Sequence, residues 1–356
     1  MSNSILKLGR RLRAQLTNPG ILIAWICVVV FGYLILVPVG EMVISSFLVQ
    51  TGDALRTGAD AAGEITVFYW DRLFTSGRIS EQLLYEPLRN TLVVSASFTV
   101  VAMAIGITLA WLMVKTDMAY KRAIGFLAIL PYIMPSWTLA LSWTTVFGST
   151  EIGVGHPGFY QTVLGVPPPA WLAYGPVPMI CVLAVNYFAY SYILTSAALG
   201  TVDASLEESA ILHGVRGTAL LRKITLPILL PALGSAFILT FADGIGTFGV
   251  PSILGIPVGY RVLATSLYRA ANIGRFGDVF VLTIVLIIIS GTVILLNTRL
   301  LGRRRQFTTV GGKGVSKRQI SLGRKRKPIG ATVAVVFGSL AAFPVFFLVV
   351  ESLQEQ

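Results

Sequence analysis

Asp243 is an acidic residue set within an otherwise apolar stretch of this sequence. A charge at the centre of a membrane costs roughly 2.5 to 3.5 kcal/mol on insertion scales, so such a residue should face a cavity or a partner. Two interpretations stay open for Asp243: a residue that lines a solute path or gate, or a residue in an outer loop or paired with an arginine. Asn186, in another apolar stretch, gives a weaker indication of a solute path.

Residues that could catalyse a reaction are scarce. The two histidines, His156 and His213, fall in segments predicted on opposite sides of a membrane, so a shared metal or acid-base site is not expected. The run from Gly311 to Gly314 contains Gly-Lys, but a phosphate-binding P-loop would follow the lysine with Ser or Thr. We therefore expect a chain that is not an enzyme and binds no cofactor, and any ATP must be hydrolysed by a partner.

The composition indicates an integral membrane protein. Hydrophobic residues make up 54% of the chain and charged residues 12%, and the mean hydropathy is +0.76. A soluble domain carries about a quarter charged residues, so this chain lies far outside the soluble range. Its net charge of +12 has an explanation other than nucleic-acid binding, because the basic residues cluster beside apolar stretches.

The apolar stretches predict six membrane spans followed by a seventh. A basic leader (1–20) precedes a transmembrane domain (21–299), a basic linker (300–328) follows, and the seventh span covers 329–350. Prolines 131 and 135 predict kinks in the third span. The six spans of the core are expected at about 21–44, 90–114, 123–147, 171–199, 228–248 and 279–297.

The charged loop between the fourth and fifth spans, 201–227, reads TVDASLEESAILHGVRGTALLRKITLP. Asp203 is a good N-cap residue and Gly214 is suited to the left-handed position after a helix, so a short helix from Ala204 to His213 is expected. A second short helix is expected from Ala219 to Thr225. The proline that follows should end the second helix and begin the next span.

This loop resembles the EAA loop of permease subunits in binding-protein-dependent ABC importers of type I. The resemblance rests on Glu208-Ser209-Ala210, on Gly214 six residues after the glutamate, and on Ile224-Thr225-Leu226-Pro227. Ser209 stands where the family has its first alanine. In that family the loop forms helices that sit in a groove of the cytoplasmic ATPase. The resemblance therefore implies ATPase coupling by Glu207, Glu208, Ser209, Ala210, Gly214, Ile224, Leu226 and Pro227.

A second resemblance concerns the solute. The segment Phe248–Gly255 and the stretch 130–148 are similar to segments of permeases for iron(III), polyamines and phosphonates. Those relatives often carry an aspartate before the Phe-Gly pair, where this chain has Thr247. The resemblance covers about 90–297 and implies a small solute from one of these classes, delivered by an extracytoplasmic binding protein.

The distribution of basic residues predicts the orientation. With a cytoplasmic N-terminus, 21 of the 28 lysines and arginines fall on the inner side: in the leader, the loop after span two, the loop 201–227 and the segment after span six. This asymmetry follows the positive-inside rule. It places the loop 201–227 where an ATPase could meet it.

A weak repeat links the first and seventh spans. Pro38 is followed eight residues later by Ser46, and Pro344 is followed at the same distance by Ser352. One interpretation is that a second permease half begins near Lys327 and is cut short at Gln356. The other is a seventh helix that belongs to a single permease.

The sequence thus predicts an all-α membrane protein, with a six-span type I ABC permease core plus a seventh C-terminal span. We expect it to be multi-pass in the plasma (inner) membrane. The expected partners are ABC ATPase subunits, an extracytoplasmic substrate-binding protein, a second permease copy or missing second half, and membrane lipid, but no nucleic acid. The alternative is a secondary transporter or channel that works without an ATPase, for which Asp243 alone is thin support.

Overall fold

The computed structural model describes residues 19–152, 157–200, 204–215, 218–302 and 319–354. Within these residues all regular secondary structure is helical, and extended pairing is confined to two isolated bridges. Six of the described helices are long and apolar enough to cross a membrane, and a sharply bent helix pair raises the number to as many as seven. The predicted all-α membrane fold is confirmed.

The described helices are numbered in chain order. Those that could cross a membrane are α1, α4, α9, α11, α14 and α15, together with the bent pair α5 and α6. The bounds are α1 Pro19–Ser45, α2 Ala54–Thr57, α3 Phe68–Phe74, α4 Arg78–Lys115, α5 Lys121–Ile133, α6 Ser136–Phe147, α7 Phe159–Leu164, α8 Ala170–Ala173, α9 Pro176–Gly200, α10 Ala204–Leu212, α11 Leu226–Ile245, α12 Gly249–Leu254, α13 Leu263–Asn272, α14 Phe276–Gly302 and α15 Arg326–Gln354.

The chain divides into two compact units, of which the first contains the residues up to 77 and 270–284. None of the 27 residues of α1 is buried. The segment after α1 is held by polar contacts: the Tyr69 hydroxyl donates to Asp53 Oδ2 at 3.0 Å, and Asp53 Oδ1 pairs with Arg56 at 2.6 Å. Arg72 Nε lies 3.6 Å from Asp278 Oδ2. Burial lowers the pKa of Arg72, and the nearby Asp278 carboxylate opposes that shift.

The second unit contains residues 78–269 and 285–356, and its core lies between α4, α9 and α11. Helices α4 and α9 approach each other closely at Gly106, where an added Cβ would lie 2.7 Å from the carbonyl oxygen of Phe188 and the amide nitrogen of Tyr192. Glycine at this position therefore allows the backbones to touch. The large side chains that these two helices bury include Phe98, Leu109, Met179, Leu183 and Phe188.

Helix α4 begins at Arg78, twelve residues before the start predicted for the second span. The charged residues at its start were assigned to a polar stretch, but a helix can extend beyond the hydrocarbon of a bilayer. A π-helical turn, Glu81–Tyr85, precedes Pro87 in this extension. A second π-helical turn, Leu221–Thr225, precedes Pro227. At both places the helix must accommodate a proline ring and a missing N–H group.

The third predicted span is two helices rather than one kinked helix. Helices α5 and α6 meet at an angle of 93°. Pro131 lies within α5, and Pro135 is the residue before α6. Met134 is extended, with ψ 138°, because a residue that precedes proline is disfavoured in the helical conformation. The break therefore lies at Met134 and Pro135.

Helix α15, which corresponds to the seventh predicted span, packs on α5 and α6. Ser142 Oγ of α6 donates to the carbonyl oxygen of Pro344 at 2.9 Å. Before α15, the amide of Leu322 donates to Asp117 Oδ1 at 2.8 Å, which ties the described end of the basic linker to the loop between α4 and α5. Helix α15 and the segment before it are thus both held within the second unit, the helix by α5 and α6 and the segment by the loop between α4 and α5.

Candidate functional site

The loop between α9 and α11 contains α10, Ala204–Leu212, which ends one residue before the predicted end. The predicted N-cap, Asp203, lies outside the described residues, as does the side chain of Glu207. Glu208 and Ser209 are exposed, and Ala210 is half-buried. The helix packs chiefly on the turn that follows it in the chain. Its outer surface is therefore open for contact with another molecule.

Gly214 ends α10 in the way that its position predicted. Its φ angle is +83°, in the left-handed region. The amide of Val215 donates to the carbonyl of Ala210 at 3.0 Å, and the amide of Gly214 donates to the carbonyl of Ile211 at 2.9 Å. These two bonds form a Schellman motif, which satisfies the last carbonyls of the helix and fixes the exit of the chain. The bend after α10 is therefore rigid.

The prediction that Pro227 ends a second short helix is wrong. A helical turn at Thr218–Leu220 leads into the π-helical turn Leu221–Thr225, which continues directly into α11. Pro227 lies in the first turn of α11, where its missing N–H would have no partner within a regular helix. Ile224 is half-buried, and Leu226 is 41% exposed. The part of the loop from Thr218 onward is consequently continuous with α11.

Leu212, at the end of α10, was not among the residues that the sequence predicted to contact an ATPase. Its side chain is 86% exposed, an unusual state for a leucine in a helix. The sequence could have indicated a contact residue here, because Leu212 is an apolar residue in a charged loop. Leu212, Glu208 and Ser209 together give α10 a mixed apolar and polar exposed surface.

Asn186 lies on α9 beside the break between α5 and α6. Its Nδ2 group donates to the carbonyl oxygens of Pro131 at 2.7 Å and of Met134 at 3.2 Å. Asn186 is itself buried. Its amide therefore satisfies carbonyls that the break leaves without helical partners, so we interpret Asn186 as a residue that positions the break rather than one that touches a solute.

Asp243 lies in the last turn of α11, a candidate span, and not in the loop that follows it. Its side chain is exposed, and among the described residues it has no ion-pair or hydrogen-bond partner. The carboxylate is close enough to Tyr187 and Tyr190 of α9 to act on them electrostatically. The predicted path residues Asp243 and Asn186 thus lie in one neighbourhood, linked by these tyrosines.

Three tyrosines of this neighbourhood were missed by the sequence analysis. The ring of Tyr132, at the end of α5, lies 6.4 Å from that of Tyr187 and 6.1 Å from that of Tyr190. Tyr187 and Tyr190 are three residues apart and therefore share a face of α9. That spacing was visible in the sequence, but the position of Tyr132 depends on the break in the third span. We call Asp243, Tyr132, Tyr187 and Tyr190 the acid-tyrosine cluster.

A helical protein with several membrane spans, a broken span beside a half-buried polar cluster and an exposed, capped loop has the architecture of a transport permease. The chain belongs to the family described as binding-protein-dependent transport system inner membrane component, whose profile matches residues 102–306. It is therefore an inner-membrane permease component of the type I ABC importer class. That family is a transport family rather than an enzyme family.

Curated relatives agree with this class. The chain is 25% identical over 257 residues to the ferric transport system permease protein FbpB of Actinobacillus pleuropneumoniae. The aligned region covers 70% of this chain and 36% of that relative. It is 27% identical over 213 residues to the inner membrane ABC transporter permease protein YcjO of Escherichia coli. That aligned region covers 59% of this chain and 70% of the relative. The chain thus spans little more than a third of the length of the ferric relative.

The fold also matches solved structures. A chain from the bacterial alginate ABC transporter in complex with alginate pentasaccharide-bound periplasmic protein superposes with a TM-score of 0.62. The match covers 84% of this chain and 99% of the other, at 19% identity. At this identity the likeness establishes the fold alone.

Proposed function

We propose that this chain is the permease part of an ATP-driven importer and that its loop from Ala204 to Pro227 binds an ABC ATPase. The observation that carries the proposal is the surface of α10. That helix is capped by a rigid glycine motif, exposes Glu208 and Leu212, and packs within the chain chiefly on the following turn. An exposed apolar side chain on a rigid helix indicates a surface that binds a partner protein rather than one that stays in contact with water.

The connection between the loop and α11 supports a mechanical role for the loop. The helical stretch Leu221–Ile245 has 25 residues, so it extends about 37 Å at 1.5 Å per residue. The π-helical turn at its start carries the backbone past Pro227 without a loop. An ATPase that docks on the turn Thr218–Leu220 would therefore move α11 as a stiff element. Asp243 lies near the far end of that element.

The distribution of positive charge supports the orientation that this role requires. With the N-terminus in the cytoplasm, the loop faces the cytoplasmic ATPase and the loops on the other face meet an extracytoplasmic binding protein. A second permease copy or second permease half would complete the pathway, and lipid would cover the remaining apolar surface. Neither nucleic acid nor a bound cofactor is part of this proposal, and the chain itself would catalyse no reaction.

We propose a small solute that passes the acid-tyrosine cluster. Relatives are named for ferric, molybdenum and maltose transport, so membership of the family leaves the solute class open. Asp243, exposed on a candidate span, favours a water-filled path over lipid at this position, because a carboxylate in lipid would be costly. A path formed with a second permease half would supply that water.

We further propose that the stretch 329–350 begins a second permease repeat. Pro38 is the twentieth residue of α1 and Pro344 the nineteenth residue of α15, and both helices are 27 to 29 residues long. The matching position of the proline in two long apolar helices supports a repeat. The alternative, a seventh helix of a single permease, is also compatible with the docking of α15 on α5 and α6.

Co-purification tests the proposed function. We expect an ABC ATPase to be recovered with the wild-type chain in mild detergent, and Glu208→Arg to remove it, because the substitution reverses an exposed charge at the contact. Glu81→Arg, which reverses an exposed charge at the start of α4, should leave recovery unchanged. ATPase activity and mass spectrometry of the eluate give the readout.

Recovery of the same ATPase with wild type and Glu208→Arg would contradict the role of the loop. Absence of any ATPase from a well-folded wild-type preparation would favour a secondary transporter or channel. Repeating the purification with the second permease half present would then show whether assembly requires that half.

A further inference from the structure

The acid-tyrosine cluster contains a carboxyl group that pairs with no described residue. Asp243 has no ion pair and no hydrogen bond among the described residues. The carboxylate acts electrostatically on Tyr187 and Tyr190, and no arginine or lysine of the described residues is among the groups that act on it. A structural carboxylate within a membrane is normally paired, so an unpaired and exposed one calls for a counter-charge from outside the chain.

The tyrosines around Asp243 favour a positive counter-charge. Tyr132 is 40% exposed, and its ring stacks on Tyr190 with an interplanar angle of 14°. Aromatic faces attract cations through the ring quadrupole. The three hydroxyl groups of the cluster have no hydrogen-bond partner among the described residues, so their oxygens are open to a ligand. Carboxylate and hydroxyl oxygens are donors for hard metal ions and for ammonium groups alike.

The position of the acid-tyrosine cluster indicates a binding position along the solute path. Tyr132 lies two residues before the break between α5 and α6, and broken helices are a recurring feature of solute sites in transporters. Asn186 fixes this break through Pro131 and Met134. Gly244, next to Asp243, packs against Phe98 of α4, whose ring lies 5.5 Å from Tyr187. The cluster is thus mounted on packed helices.

We propose that Asp243, with Tyr132, Tyr187 and Tyr190, forms a transit site for a cation, so that the imported solute crosses this part of the membrane as a positively charged species. The inference rests on the proposed function and adds the charge class of the solute. The described residues contain no group of three or more histidine, cysteine, aspartate or glutamate ligands that could hold a metal ion. A single carboxylate with tyrosines binds weakly, as release to the other side requires.

The same arrangement opposes the passage of an oxyanion. Its charge would be repelled by Asp243, and the described part of the cluster offers no arginine or lysine to offset that repulsion. A neutral sugar would use the tyrosine faces but would gain nothing from the carboxylate. The two sources of positive charge that fit the oxygens and rings are a hard metal ion and an organic polyamine.

Terbium(III) is the probe for the test, because Tb³⁺ is a hard cation whose luminescence is sensitised by nearby tyrosines. The importer complex is purified in detergent as wild type, Asp243→Asn, Asp243→Glu and Asp60→Asn, and each is titrated with TbCl₃. Asp60 is an exposed acid of the first unit and serves as the matched control. Gallium(III) citrate and spermidine are then added as competitors for the two sources of charge.

We expect a saturable luminescence component in wild type whose apparent affinity falls about tenfold or more in Asp243→Asn, as for the loss of one charged contact. Asp243→Glu and Asp60→Asn should retain it. Displacement by gallium identifies a hard metal ion, and displacement by spermidine identifies an organic polycation; either result supports the proposal. Equal titrations of wild type and Asp243→Asn, or displacement by neither competitor, would overturn it.

Size-exclusion profiles and recovered ATPase are measured on the same preparations. If wild type lacks an ATPase even with the second permease half present, the proposed function fails, but the terbium titration of the folded chain still decides whether Asp243 is a cation site. If the ATPase is present and Asp243→Asn binds terbium as wild type does, the cation site fails and the permease assignment stands. The two failures are therefore distinguishable.

Discussion

Replacing Gly214 with valine is expected to abolish ATP-driven uptake while leaving the chain inserted in the membrane. The φ angle of +83° costs a residue with a Cβ about 1 kcal/mol or more, and a β-branched residue suffers most. The backbone would leave the left-handed region, and the Schellman bonds from Val215 and Gly214 would be lost. Helix α10 would then no longer present Glu208 and Leu212 in a fixed direction.

Gly214→Asn is the matched control, because asparagine enters the left-handed region more readily than other residues. A Cβ at this position meets nothing within 4 Å, so any difference between the two variants reflects the backbone rather than a clash. Solute uptake and ATPase recovery are measured at equal membrane levels of each variant. Wild-type uptake in Gly214→Val would show that the rigid bend is dispensable and would count against the coupling role of the loop.

Gly106→Leu is expected to prevent formation of a stable second unit. The added Cβ would lie 2.7 Å from two backbone atoms of α9, which cannot rotate away as a side chain can. Overpacking typically costs about 1 to 3 kcal/mol, and separation of α4 from α9 would expose the buried side chains around Phe188 as well. The thermal midpoint and the size-exclusion profile in detergent give the readout.

Gly234 provides the comparison for Gly106. It lies in α11, and a Cβ there meets nothing within 4 Å. Gly234→Leu should therefore give a profile close to wild type, and Gly106→Ala should fall between the two. Equal thermal midpoints for Gly106→Leu and Gly234→Leu would contradict the close packing of α4 on α9.

The spans and the capped loop were predictable because they depend on local sequence. Apolar stretches of sufficient length predict spanning helices, and the left-handed Gly214 followed from a glycine placed after a short helical pattern. The extension of α4 to Arg78 was not predicted, because charge was used to end the span and a helix need not end where the hydrocarbon does. Pro227 was misassigned because a π-helical turn allows the helix to continue through the proline.

The acid-tyrosine cluster shows where sequence reasoning ends. Asp243 was found because an acid in an apolar stretch is costly wherever that stretch packs. Tyr132 was not found, because its neighbours depend on a 93° bend that two prolines permit but do not specify. Asn186 stays a predicted path residue, but its hydrogen bonds to Pro131 and Met134 could not be predicted from the sequence. The neighbours of these side chains depend on contacts between helices that are far apart in the sequence.

Photo-crosslinking from α10 tests most directly whether this loop binds the ATPase. A benzophenone amino acid is placed at Leu212, which is 86% exposed, and at Leu55, which is 99% exposed in the first unit. After irradiation of membranes that contain the whole importer, we expect an ATPase crosslink from position 212 and none from position 55. Capture of the ATPase from neither position, or equally from both, would contradict the assignment of the loop from Ala204 to Pro227 as the coupling surface.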